Sequence, residues 1–438
     1  MTPKQIIDNG NMHWRQWLAV ALTIALNALD GFDILSSAFA GPGIKQEWAL
    51  GPEGLGAVLA MELIGMGVGS LILGGAADKF GRRPTILGCL LLMAKGMFLA
   101  AAATSPQSLS LWRFMTGIGI GGMLSAINAV ANEFSSNNGR SVAMALMVIG
   151  YPLGGFLGGL TVKNLLPADD WRAIFHFGAW ATTVCIPLVL FFVPETPSFL
   201  NQRRPKDALA RINKTLALFG LQTLAALPEL APAQAKASVA DIFRPAYRRT
   251  TFLLAFGYAF HAITFYYILK MAPSIISDPQ FAGQNFTKAQ GAGVLAYANL
   301  GGALGGAVFG WFMHRFGIKR STLVALAFSS LLVIGFGFGH STLLGWTLAV
   351  VSVGLFTNSA IVGFYSAWAI AYPTHIRATG TGFALSIGRL GAALSPVIAG
   401  ILFAQNLGLL TVSIVMSLGS LLAFLLLLTM DLKDAEAA

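Results

Sequence analysis

At 438 residues, 55% of them hydrophobic and 11% charged, and with a mean hydropathy of +0.70, the chain lies far outside the composition of soluble domains, where about 25% of residues are charged. Its formal charge of +10 would suit a nucleic-acid partner, but the Lys and Arg residues gather in short intervals between long apolar stretches, as in a multi-pass membrane protein. Cys89 and Cys185 both fall within apolar stretches and read as packing residues; no His, Cys or carboxylate cluster has metal-ligand spacing, and no cofactor is implied.

Windows of about 20 apolar residues predict twelve membrane spans, at 17–40, 54–77, 84–104, 108–132, 141–163, 173–193, 250–272, 291–313, 321–339, 343–371, 378–403 and 408–430. The first carries two aspartates, Asp30 and Asp33. A carboxylate in hydrocarbon costs several kcal/mol and persists where it has a partner or a task. The i, i+3 spacing puts both on one helix face, and two carboxylates that close hold protons near neutral pH, so the pair points to proton handling. At a rise of about 1.5 Å per residue, Glu62 in span two, Lys95 in span three and Arg113 in span four reach a similar depth. The expected pairing sets Arg113 against Asp30 and Asp33, and Glu62 against Lys95; the alternative is that all five are structural ion pairs. Gly150-Tyr151-Pro152-Leu153-Gly154-Gly155 in span five reads as close packing and bending.

The polar interval 201–249 separates the first six spans from the last six. It holds a basic amphipathic piece, Pro205 to Phe219, then an Ala/Pro-rich stretch, Ala225 to Ala237, and reads as a linker between an N-terminal bundle, 1–200, and a C-terminal bundle, 250–438. The C-terminal bundle contributes one deeply placed charge, Arg389, about eleven residues into span eleven. A guanidinium at that depth points to a bidentate carboxylate ligand. Aromatic and amide residues at central depths could complete such a site: Asn27, Phe32 and Tyr151 in the first half, and His261, Tyr266, Tyr297, Asn299, Asn358, Tyr365 and Trp368 in the second, although ordinary helix packing explains each taken singly.

With the N-terminus inside, twenty of the 28 Lys and Arg residues fall on the cytoplasmic side, five on the other, and three within spans. This asymmetry predicts a cytoplasmic-membrane protein with both termini in the cytoplasm. An internal repeat supports the division into halves. Gly74-Gly75-Ala76-Ala77-Asp78-Lys79-Phe80-Gly81-Arg82-Arg83 follows span two, and Gly310-Trp311-Phe312-Met313-His314-Arg315-Phe316-Gly317-Ile318-Lys319-Arg320 follows span eight, with His314 in place of the aspartate.

The first of these segments resembles the signature loop of the major facilitator superfamily, G-x-x-x-D-[RK]-x-G-R-[RK], and Arg113-Phe114-Met115-Thr116-Gly117-Ile118-Gly119 resembles its span-four motif. Within that superfamily, Asp30-Gly31-Phe32-Asp33 is similar to the D-G-[FY]-D signature of the aromatic acid:proton symporters, as are Tyr372-Pro373-Thr374-His375-Ile376-Arg377 and Gly388-Arg389-Leu390-Gly391 with Pro396 downstream. One departure is Trp368-Ala369-Ile370-Ala371, where relatives often carry a glutamate before Tyr-Pro. The resemblance implies an all-α fold of two six-helix bundles around a midplane cavity. It also implies a non-enzymatic, monomeric carrier that takes up an aromatic carboxylate with a proton. Gly74, Asp78, Lys79, Gly81, Arg82 and Arg83 would then form a cytoplasmic gate, with Glu133 as the acidic partner of Arg82. A carrier of another organic anion would share the fold and the cationic anchor, and a non-transporting sensor is the reading from a different class.

Overall fold

The computed structural model describes residues 1–165, 170–229, 238–279 and 286–430, and among them every regular element is helical. Twelve helices are long and apolar enough to cross a membrane. They are α1 (Trp14–Glu47), α2 (Pro52–Leu73), α3 (Arg82–Ala101), α4 (Pro106–Phe134), α5 (Asn137–Leu165), α6 (Trp171–Phe192), α7 (Arg248–Ser277), α8 (Lys288–Phe316), α9 (Ile318–Gly337), α10 (Leu343–Ala371), α11 (Thr374–Ala404) and α12 (Leu409–Leu428). Each overlaps one predicted span. The largest difference is at the end of the first: the expected boundary is 40, just before Gly41-Pro42-Gly43, yet α1 runs on to Glu47. In an apolar surround a broken helix would leave backbone groups with no water to bond, so the helix carries through its proline.

Helix starts follow their capping chemistry. Ser105 and Thr287 bond the backbone N–H three residues on, with Pro106 at the first helical position of α4 and Gln290 closing a capping box on α8. Two sharp turns repeat in the two halves. Gly81 (φ 111°) joins α2 to α3 through the short helix Ala76–Phe80, and Gly317 (φ 84°) joins α8 to α9. Both need the left-handed region that glycine enters without penalty.

Helices α1–α6 form one bundle and α7–α12 the other. In the first, α2 crosses α4 at backbone contact. A Cβ on Gly117 would lie 2.1 Å from the Glu62 carbonyl oxygen, and one on Gly65 2.1 Å from that of Phe114. That crossing needs hydrogen at both positions, and it sets Glu62 on α2 beside Arg113 on α4. Between bundles, α2 packs on α11, α5 on α8 and α1 on α7. These contacts lie toward the face where α1 ends, here the far face; Gly56, for instance, meets the Pro396 carbonyl so closely that a Cβ would stand 2.2 Å from it. The opposite face, where α1 begins, carries most of the arginine and lysine loops and is here the basic face.

On the basic face the interval between bundles forms two short helices, Pro197–Arg203 and Ala208–Leu218, and a 3-10 turn, Val239–Phe243. The Ala/Pro-rich stretch extends into 230–237, outside the described residues. Ile212 and Leu216 pack with Leu200 and with Ile7 of an N-terminal helix, Pro3–Asn9. Lys4 of that helix donates to the Asn132 carbonyl at 2.9 Å, and Asp8 pairs with Arg140. The first residues of the chain thus dock onto the end of α4, which the polar character of the segment did not announce.

Gly117→Ala is expected to lower stability by about 1–3 kcal/mol, because the added methyl must push α2 off α4. Gly88→Ala on α3, where a Cβ meets nothing within 4 Å, is expected to be neutral or slightly stabilising. Thermal unfolding of the detergent-purified variants reads the difference.

Candidate functional site: a cavity between the bundles

A cavity of about 290 Å³ lies between the two bundles at mid-depth. It runs from Ile34 and Met66 toward the basic face, reaching Asn128 on α4 and Tyr365 on α10. Its charged residues are Asp30 from α1 and Arg389 from α11, one from each bundle. Four tyrosines also line it: Tyr151 from α5, Tyr258 and Tyr266 from α7, and Tyr365 from α10.

Arg389 is half-buried. The hydrogen bond described for its guanidinium is a weak one, from Nη1 to the Met66 sulfur at 3.4 Å. Most of its donors are left for whatever occupies the cavity. Asp30 is 2% exposed and Asp33 fully buried, and neither carboxylate has a hydrogen-bond partner among the described residues. Such groups are costly as anions and far cheaper as neutral acids. The two diverge despite their spacing: Asp30 lines the cavity, whereas Asp33 lies on the side of α6, with its Oδ1 3.1 Å from where a Cβ on Gly178 would stand.

The expected charge pairing is corrected by the structure. Arg113 reaches Asp33 only at its backbone carbonyl, 2.7 Å from Nη2, and its carboxylate partner is Glu62. Its Nε donates to Ser37 Oγ at 2.8 Å, Nη1 meets the Met97 sulfur at 2.7 Å, and the guanidinium lies over the Phe175 ring. Glu62 does not pair with Lys95, which is exposed on α3. Its second cation comes from the other bundle: Lys270 on α7, fully buried, with Nζ 3.0 Å from Glu62 Oε2. Depth along a span does not report the azimuth around it, which is why Lys95 could be expected to face Glu62 although it is exposed. Lys270 itself sits so near the end of its predicted span that it reads as a loop charge.

Of the aromatic and amide candidates, Asn27, Tyr151, Tyr266, Asn358 and Tyr365 line the cavity. Asn27 donates to the Met147 carbonyl at 2.5 Å and Asn358 to that of Gly302 at 2.6 Å. The others are elsewhere. Phe32 packs edge-on against Phe177 within the first bundle. His261 is a satisfied core histidine, with Nδ1 2.9 Å from Ser420 Oγ and Nε2 2.9 Å from the Thr357 carbonyl. Tyr297 faces Phe156, and Asn299 bonds the Leu295 carbonyl where α5 meets α8. Trp368 stands behind the wall, its ring 5.0 Å from that of Tyr258. Tyr258, Phe265, Met66 and Asn128 are wall residues the sequence reading missed. Tyr258 had a findable signal, one turn before His261 on the same span.

At the basic face, the loop from Gly74 to Arg83 is bound within its own bundle. Arg82 pairs with Asp78 at 3.1 Å and Glu133 at 3.0 Å, and its Nη1 donates to the Ala77 carbonyl. Glu195, beyond α6, accepts the backbone N–H groups of Arg82, Arg83 and Thr196 and so caps α3. Burial pushes the Glu195 carboxyl above its usual range, against the pull of those three donors. A side chain at Gly81 would strike the same carboxylate. Arg83 reaches the Leu190 carbonyl, Lys79 lies over the Phe80 ring, and Gly74 packs against the Ser70 carbonyl at the end of α2.

A family model described as the Major Facilitator Superfamily matches residues 20–396. Among curated proteins, the chain is 29% identical over 411 residues to the gallate transporter of Pseudomonas putida, covering 93% of this chain and 90% of that one. It is 30% identical over 412 residues to the 4-hydroxybenzoate transporter PcaK of Acinetobacter baylyi, covering 92% and 88%. Over 436 residues it is 26% identical to the benzoate transport protein of the same organism, covering 96% and 92%. Among solved structures, the inward open conformation of the xylose transporter XylE from E. coli shares the fold with a TM-score of 0.73 at 13% identity, over 96% of this chain and 99% of that one.

Glu62→Ala strands two buried cations and is expected to cost about 3–5 kcal/mol. Lys95→Ala should stay within about 0.5 kcal/mol of the parent protein. Monodispersity and thermal midpoints in detergent distinguish this pairing from a Glu62–Lys95 pair, under which the two losses would be similar.

Proposed function

This chain belongs to the Major Facilitator Superfamily and, within it, to the transporters of aromatic acids, and we propose that it takes up an aromatic carboxylate together with at least one proton. The observation that carries this reading is the pairing of Arg389 with four tyrosines around one cavity that also contains Asp30. A guanidinium with donors to spare binds a carboxylate in a fork. Tyrosine faces pack a flat ring, and their hydroxyls bond ring substituents. The cavity volume is at the lower end of the roughly 300–1,000 Å³ of small-molecule sites, suited to a single-ring acid rather than a larger ligand.

The proton sites are Asp30 and Asp33. An ionised Asp30 in the same cavity opposes entry of an anion, so protonation favours loading; loss of the proton on the other side favours release. Arg113, held by Glu62, keeps a fixed positive charge beside the Asp33 backbone and away from the substrate. The bundles then rock about the site and expose it alternately to the two faces. The excess of Lys and Arg makes the basic face the cytoplasmic one, so a cavity leading toward it is poised for release into the cell. The loop from Gly74 to Arg83 would serve as the gate there, free in this state to pair within its own bundle.

Two outcomes follow in proteoliposomes loaded with 4-hydroxybenzoate or gallate as probe acids. Asp30→Asn and Asp33→Asn are expected to abolish accumulation driven by an inward proton gradient while leaving exchange of pre-loaded acid measurable; full acid-driven accumulation in both would remove the proton assignment.

Arg389→Ala is expected to weaken binding of the probe acid by at least about 30-fold, the loss typical of truncating one partner of a buried charge pair. Calorimetry on the detergent-purified protein measures it, and an unchanged affinity would move the carboxylate elsewhere.

A further inference from the structure

Among the described residues, Lys270 is the ionic side chain that crosses the interface between bundles at full burial. It projects from α7, about one turn beyond the cavity wall residues Phe265 and Tyr266, and its side chain is 0% exposed. In the first bundle it donates to Glu62 Oε2 on α2 at 3.0 Å and to the Ile34 carbonyl on α1. A second ion pair joins the bundles eight residues further along α7 and its end, between Lys45 of α1 and Asp278 at 2.5 Å, and there the partners are partly exposed. Gly56 against the Pro396 carbonyl, and Gly41 with its Cβ position 3.0 Å from Ser274 Oγ, bring the helices into close contact on the same side.

We propose that Lys270 is the lock that holds the bundles together on the far face, with Glu62 as its receptor, and that alternating access requires this pair to form and break once per cycle. The receptor is built to survive the opening. Glu62 presents one oxygen to Arg113 and the other to Lys270 and Ser37. When α7 withdraws, Glu62 retains Arg113 and the Ser37 hydroxyl from its own bundle, so no buried carboxylate is left unpaired. Lys270 alone leaves, and the gap it leaves by admits water to solvate it. The lock is thereby reversible in a way that a pair of single partners buried at the same depth is not. It also sits directly behind the cavity, where its release opens the site toward the far face. This inference rests on the transporter reading for its purpose, but the geometry it invokes is measured without transport.

The test uses full-length protein in nanodiscs, with Cys89 and Cys185 replaced by alanine and spin labels on the exposed positions Glu53→Cys and Gln405→Cys, which flank the far-face contact of α2 with α11. No substrate or proton gradient is applied, so failure of the symport reading leaves the outcome intact. The parent is expected to show a dominant short distance. Lys270→Gln is expected to add a longer-distance population, lowering the ratio of closed to open protein by about tenfold or more, whereas Lys270→Arg keeps the parental distribution. Glu62→Gln, which retains an acceptor for Arg113, removes the same pair from the other side and should produce the same shift if Lys270→Gln does not yield folded protein. A parental distance distribution in whichever of these neutral variants folds would overturn the proposal.

Discussion

The Glu62 carboxylate, fully buried between a guanidinium from its own bundle and an ammonium from the other, is the interaction around which this structure is arranged. A charge in hydrocarbon must be paired at good geometry or it unfolds its surroundings. Pairing here demands that α2 and α4 touch along their glycines, that α1 pass close enough to offer Ser37 and the Ile34 carbonyl, and that α7 approach from across the interface. Helix crossing, bundle contact and closure of the far face are thus satisfied by one side chain. The cost of burying three formal charges at one level is offset only when all of these helices are in place.

The cavity follows from what this cluster leaves unpaired. All three guanidinium nitrogens of Arg113 have partners within the first bundle. Arg389, in the other bundle, has almost none of its donors occupied. Two arginines of the same chemistry are therefore set apart by their neighbours alone, one consumed by an ion pair and the other left open to the cavity. The tyrosines around Arg389 extend the contrast, since they give a ring both a flat face and hydrogen-bonding ends without adding formal charge.

Much of the fold was legible because hydrocarbon imposes a simple rule on sequence. Twelve apolar stretches of membrane length can only be helices, and the duplicated Gly81 and Gly317 turns mark the two halves. Asp30 and Arg389, which line the cavity, stood out in the sequence for the same reason, being charges where none is cheap. What was not legible is rotation about each helix axis. Phe32, between Asp30 and Asp33 in sequence, points into the first bundle, and His261 is consumed by hydrogen bonds to Ser420 and Thr357. Lys95 lies within its span and Lys270 near the end of its own, and only the packing of whole bundles decides that the first is exposed and the second is a partner of Glu62. Partner choice across an interface is a property of two surfaces, and a single helix pattern carries one of them.

The presence of one carboxylate and one guanidinium in the cavity has an electrical consequence. With Asp30 ionised and Arg389 charged, the empty cavity carries no net charge. An anion alone would make it negative; an anion with a proton on Asp30 restores neutrality. A carrier that moves only in its neutral forms transfers no charge through the bilayer in either direction. Voltage, which does about 2.3 kcal/mol of work per charge per 100 mV, then has nothing to act on. Under one-to-one stoichiometry the pH difference alone would set the accumulation ratio, and the protein would work as well in a depolarised cell as in an energised one.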